Sequence, residues 1–168
     1  AFINLMNNFI KEKLLSFNYK RINEQKTLAN YKPFIIFEKF IFISGQLPLK
    51  DNKIFMEGKV LKELTLKDSK TSIFLATLNM LWNLSDAIDM QKNISSIKCV
   101  NIKGYINSSE SFDEHSSIFD ISSDLILKIL GRENGSHSRT VIGVNSLPKK
   151  SPVEIDGIFA IHEKIPKK

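Results

Sequence analysis

The chain has 168 residues, 42% of them hydrophobic, which is enough for one ordinary core and too little for two. No run reaches the roughly 18 apolar residues of a membrane-spanning helix, and the opening "AFINLMNNFIKEKLL" lacks the small-residue cleavage site of a signal peptide, so the chain reads as cytoplasmic. The net charge of +6 is almost all scattered lysine, with arginine only at 21, 132 and 139, which is not the clustered arginine and interleaved aromatics of a sequence-reading nucleic-acid surface.

In chain order, Ile10, Leu14, Leu15 and Phe17 stand at near-helical spacing and predict a short amphipathic helix from about 7 to 17, within an N-terminal extension spanning 1–29. The domain proper is expected over 30–168. Phe34 to Phe37 and Phe40 to Ile43 are rich in β-formers and straddle Glu38-Lys39, which predicts a hairpin ending at Ser44-Gly45. "DNKIFMEGKV" then reads as a turn and a short edge strand.

Thr65 and Asp68 have capping-box spacing, and apolar residues or threonine follow at 73, 74, 77, 80, 81, 84 and 88, so a long helix is expected over 65–89. Trp82 within it reads as core or interface. "SIKCVNIKGYINS" alternates as a strand, and Cys99 in it, the only cysteine, excludes an intramolecular disulfide and any Cys-x-x-Cys site. A second helix is expected over 116–130, with Ile118, Phe119, Ser122, Leu125, Ile126 and Ile129 on one side, Gly131 as its stop and "GRENGSHS" as a loop. His115, His137 and His162 show no metal-ligand spacing.

"RTVIGV" and "PVEIDGIFAI" read as two strands around a turn. If the apolar rows of both face the helices, Arg139 and Glu154 share the far face of one hairpin, where they form either a plain cross-strand ion pair or a functional pair. The element order β-β-β-α-β-α-β-β predicts an α+β fold: a mainly antiparallel sheet covered on one face by two helices, its other face buried by a second copy of the chain.

"FIFISGQLPL" (40–49), "SRTVIGVNSLP" (138–148) and "PVEIDGIFAI" (152–161) resemble, in order and spacing, the three signature stretches of the Rid family, the reactive-intermediate deaminases also called YjgF or L-PSP proteins. The similarity runs from about Tyr31 to Ile161 and is greatest to a longer subgroup with an N-terminal extension. The resemblance implies a chorismate-mutase-like fold, a homotrimer with a pocket at each subunit interface, and cofactor-free, metal-free hydrolysis of 2-imino and enamine acids to 2-keto acids and ammonia. By motif position it implies that Arg139 binds the substrate carboxylate and Glu154 positions the attacking water, with Tyr31 and Ser44 also in the pocket.

The chain departs from the family pattern twice: Val141 stands where a cysteine is usual, and Asp120 near the usual pocket asparagine. Val141 alters pocket shape, whereas Asp120 brings an anion towards a carboxylate-binding site. Two other classes of function remain open on the sequence: a carboxylate-binding trimer without catalysis, and an RNA-binding or endoribonuclease protein supported by the +6 charge.

Overall fold

The computed structural model describes residues 8–22 and 30–163. The expected N-terminal extension therefore falls partly outside the described residues. Among those described are helices α1 (Phe9–Ser16), α2 (Leu66–Asp89) and α3 (His115–Gly135). Strands β1 (Phe34–Phe37), β2 (Phe40–Gln46), β5 (Ile94–Asn107), β6 (Ser138–Val144) and β7 (Val153–Glu163) form one sheet in the order β1-β2-β7-β5-β6, and β3 (Leu49–Lys50) and β4 (Lys53–Ile54) pair separately.

Helix α2 starts where the capping box predicts it, with the Thr65 hydroxyl accepting from the Asp68 amide. It is buried on most of its circumference, including Ile73, Thr77, Met80, Leu81 and Leu84 at 0% exposure. Helix α1 packs against it through Ile10 and Leu14, which are themselves fully buried and belong to the same apolar cluster as the sheet. Trp82 is core, as its position predicts, and its indole N–H donates to the Tyr19 carbonyl at 3.1 Å.

Helix α3 lays Ile118, Phe119, Ser122, Leu125, Ile126 and Ile129 into the core. Gly131 breaks the helix with φ 77, which glycine adopts without steric cost. The chain then makes a further helical turn to Gly135, closed by the Ser136 hydroxyl on the Arg132 carbonyl, so most of the expected loop is helix. Gly104 of β5 lets α3 approach the sheet closely, because a Cβ there would lie 2.5 to 2.9 Å from three atoms of the Phe119 ring.

The last two strands correct the sequence reading. Strands β6 and β7 are not a hairpin, because β5 lies between them, pairing parallel with β6 and antiparallel with β7. The α3 crossover returns the chain in the direction of β5, which makes β6 a parallel neighbour at the sheet edge, and β7 must then pass β5 to reach its own position.

The rows also differ from expectation in β6. Arg139 and Val141 face α3 while Ile142 is 47% exposed on the opposite face. In β7 the expected alternation holds: Val153, Ile155, Phe159 and Ile161 are buried and Glu154 and Asp156 point away. No helix among the described residues lies over that far face, which carries Ile35, Phe37, Phe40 and Phe42, with Phe37 65% exposed.

Candidate functional site

The sequence-selected residues fall into two groups on opposite faces of the sheet. The first is built where β6 runs under the N-terminal half of α3. Arg139 Nη1 donates to Ser123 Oγ at 3.0 Å, and Nη2 donates to the Ser116 carbonyl at 3.0 Å and to Ser116 Oγ at 2.9 Å. The guanidinium stands over the Phe119 ring, 5.9 Å from its centroid, and meets Asp120 Oδ1 at 2.8 Å. The arginine side chain is only 22% exposed whereas that of Asp120 is 60% exposed.

Ser116 and Ser123 are two helical turns apart on the side of α3 that faces β6, which is what allows both to reach one guanidinium. Sequence reasoning missed them. Their spacing of seven on a helix beside the arginine strand is a visible signal, but it acquires meaning only once β6 is known to face α3.

The second group lies on the uncovered face around a bulge in β2. The β2–β7 register shifts between Ile43 and Gln46, so Ser44 and Gly45 have no regular partners in β7. Ser44 Oγ donates to the Lys32 carbonyl at 2.6 Å, which ties the bulge to the residue after Tyr31, itself exposed. Glu154 lies against this bulge: a Cβ on Gly45 would stand 1.9 Å from Glu154 Oε1, so only glycine leaves room for the carboxylate.

Burial pushes the Glu154 carboxyl above its ordinary range, and the negative charge of Asp156 on the same face adds to the rise. The Tyr105 hydroxyl donates to Asp156 Oδ2 at 2.9 Å, and burial together with that bond pushes its own pKa up to about 12. Lys103 Nζ lies 3.8 Å from Asp156 Oδ1. A carboxyl whose pKa is raised by burial, beside a backbone irregularity, is a stronger proton acceptor than a solvated one once it is ionised.

Arg139 and Glu154 thus do not pair. The expected cross-strand contact is replaced by Arg139–Asp120, because Arg139 is opposite Ile102 of β5 and Glu154 opposite Tyr105, with their side chains on different faces. Val141 continues the Arg139 row and packs against the core. Gly143 ends that row, where a Cβ would come within 2.5 Å of His115 Nε2. His115 in turn lies 3.3 Å from Ser108 Oγ.

The other polar residues named by the sequence are accounted for locally. Cys99 is buried, which pushes its thiol up to about 12 and leaves it protonated. His137 is held between the Gly135 carbonyl and Ser123 Oγ. Among the described residues no three His, Cys, Asp or Glu side chains are grouped to hold a metal ion, and no helix is long and apolar enough to cross a membrane.

Comparison with known proteins agrees with this architecture. The chain is 29% identical over 134 residues to Protein TCP17 of Trypanosoma cruzi, spanning 80% of this chain and 82% of that one. Among solved structures it is similar to a protein of unknown function from Agrobacterium tumefaciens, with 29% identity and a TM-score of 0.78 over 92% of this chain and 94% of that chain. It is also similar to a "putative endoribonuclease" from Shewanella oneidensis, with 28% identity and a TM-score of 0.79 over 91% of this chain and 99% of that chain. Residues 13–160 match the sequence model of the family described as "YjgF/chorismate_mutase-like, putative endoribonuclease". With the α+β fold in agreement, the chain belongs to the YjgF/chorismate mutase-like family, which includes the Rid proteins.

Proposed function

We propose that the protein is a cytoplasmic hydrolytic deaminase that converts 2-imino and enamine acids to 2-keto acids and ammonia, working as a homotrimer. Arg139 binds the substrate carboxylate, Glu154 takes a proton from the attacking water, and Tyr31, Ser44 and Asp120 line the same pocket. The observation that carries the reading is an arginine oriented by Ser116 and Ser123 with a carboxylate already on it, in a chain whose Glu154 sits half-buried on a sheet face left open. One protomer holds these two groups on opposite faces, so the reading assigns the Arg139 and Glu154 of each pocket to different copies. The apolar face bearing Phe37, Phe40 and Phe42 supports such an association.

The chemistry asks little else of the chain. The guanidinium fork fixes the carboxylate and therefore the C=N carbon next to it. Glu154, its carboxyl raised by burial, accepts a proton from water as oxygen adds to that carbon and passes it to the nitrogen. The hydroxyl of the resulting carbinolamine then gives up its own proton through Glu154 as the C–N bond breaks, the carbonyl forms and ammonia leaves. Residues 1–29 are read as an extension to the catalytic unit, which would leave this chemistry to residues 30–168.

The test adds the purified protein to an amino-acid oxidase reaction and follows loss of the trapped imine. Faster loss is expected, and Arg139→Ala should reduce it on the order of a hundredfold, as about 3 kcal/mol of lost charge-assisted binding implies. No acceleration with any 2-imino acid would refute the reading. The endoribonuclease description of its family supports a nuclease reading instead, which predicts RNA affinity that falls steeply with salt.

A further inference from the structure

Asp120 has no step to perform in the hydrolysis above, yet it makes the closest charged contact of Arg139. Its Oδ1 is 2.8 Å from Arg139 Nη2, and its side chain is 60% exposed. The guanidinium does not depend on it for position. Ser123 Oγ, the Ser116 carbonyl and Ser116 Oγ hold the fork from the α3 side, with the Phe119 ring beneath. The carboxylate of Asp120 is therefore free to turn towards solvent while Arg139 stays in place, which leaves a fixed cation and a movable anion side by side.

We infer that Arg139 and Asp120 form a two-pole berth for a zwitterion, in which Arg139 takes the carboxylate and Asp120 takes a cationic nitrogen on the adjacent carbon. The ligand identity rests on the deaminase reading: the substrate class becomes the protonated 2-iminio acid rather than its neutral enamine tautomer or a simple carboxylate. The carboxylate and the nitrogen of such a molecule stand on neighbouring carbons, so the two protein charges that meet them must themselves be neighbours, as the 2.8 Å contact makes them. A neutral amide at 120 would accept a hydrogen bond from the nitrogen but would offer it no charge.

The same arrangement discriminates against product. A 2-oxo acid brings a carboxylate to Arg139 with no cation for Asp120, so the displaced aspartate faces a like charge and is drawn back to the guanidinium. Loss of the nitrogen thus converts a matched ligand into a competitor that Asp120 replaces.

Calorimetric titration with L-alanine and pyruvate, which share a carbon skeleton and differ at the nitrogen, tests this without turnover. The parent is expected to bind L-alanine at least about tenfold more tightly than pyruvate, as a charge-assisted contact implies. Asp120→Asn should weaken L-alanine at least tenfold and tighten pyruvate, and Arg139→Ala should lose both. The inference is overturned if the parent fails to prefer L-alanine, if it binds neither ligand, if Asp120→Asn leaves the preference unchanged, or if that variant binds both more tightly, which would make Asp120 a plug rather than a selector. Imine hydrolysis is scored separately. A zwitterion preference without acceleration would overturn the deaminase reading alone, and acceleration without the preference would overturn this inference alone.

Discussion

Replacing Gly45 by alanine tests the role of Glu154 without removing its carboxylate. Gly45 is not among the glycines with positive φ, which are Gly58 and Gly131, so alanine can adopt its backbone. The added methyl would lie 1.9 Å from Glu154 Oε1 and 2.9 Å from its Cδ. To regain an ordinary contact of 3.4 Å, the carboxylate oxygen must retreat by about 1.5 Å. The atoms that give way are the end of a flexible side chain, so the stability cost should stay within about 1 kcal/mol. Proton transfer to a bound water needs a heavy-atom separation of roughly 2.6 to 3.2 Å, and a displacement of this size is expected to lower turnover on the order of a hundredfold. The assay is imine hydrolysis beside thermal melting and sizing, with Glu154→Gln as the reference for complete loss of the base. A Gly45→Ala protein that melts and associates like the parent and keeps full turnover would refute the assignment of Glu154 as the base.

Two further variants separate stability from chemistry. Glu154→Gln should raise the melting temperature at pH 7: the folded-state pKa lies above the ordinary 4.5, so the folded protein binds more protons between the two values and loses stability as pH rises through them. The gain should disappear below about pH 4, where both forms are protonated, and a constant difference across the range would contradict the raised pKa. Gly104→Ala should destabilise by about 1 to 3 kcal/mol in denaturant unfolding, because the clash of 2.5 to 2.9 Å falls on a fully buried Phe119 ring with no room to retreat. An unchanged midpoint would mean that α3 can lift from the sheet at little cost.

The elements whose signals are local were legible from residue order alone. The Thr65 cap, the apolar spacing of α2 and α3 and the β-formers around Glu38-Lys39 each depend on neighbours within a turn or two, and the structure forms them at those positions. The motif stretches likewise identified the family. Pairing of β6 and β7 was not legible, because a short connection between two oppositely directed strands is the same whether they touch or flank a third, and only the α3 crossover places β5 between them. That placement carries the rest of the site with it. The face on which Arg139 emerges decides that its partner is Asp120 and its supports are Ser116 and Ser123, while Glu154, on the other face, meets Gly45. A sequence specifies which residues alternate along a strand; which of the two rows meets a helix depends on long-range packing, and in β6, with Thr140 and Ile142 in one row and Arg139 and Val141 in the other, the apolar pattern is too even to choose.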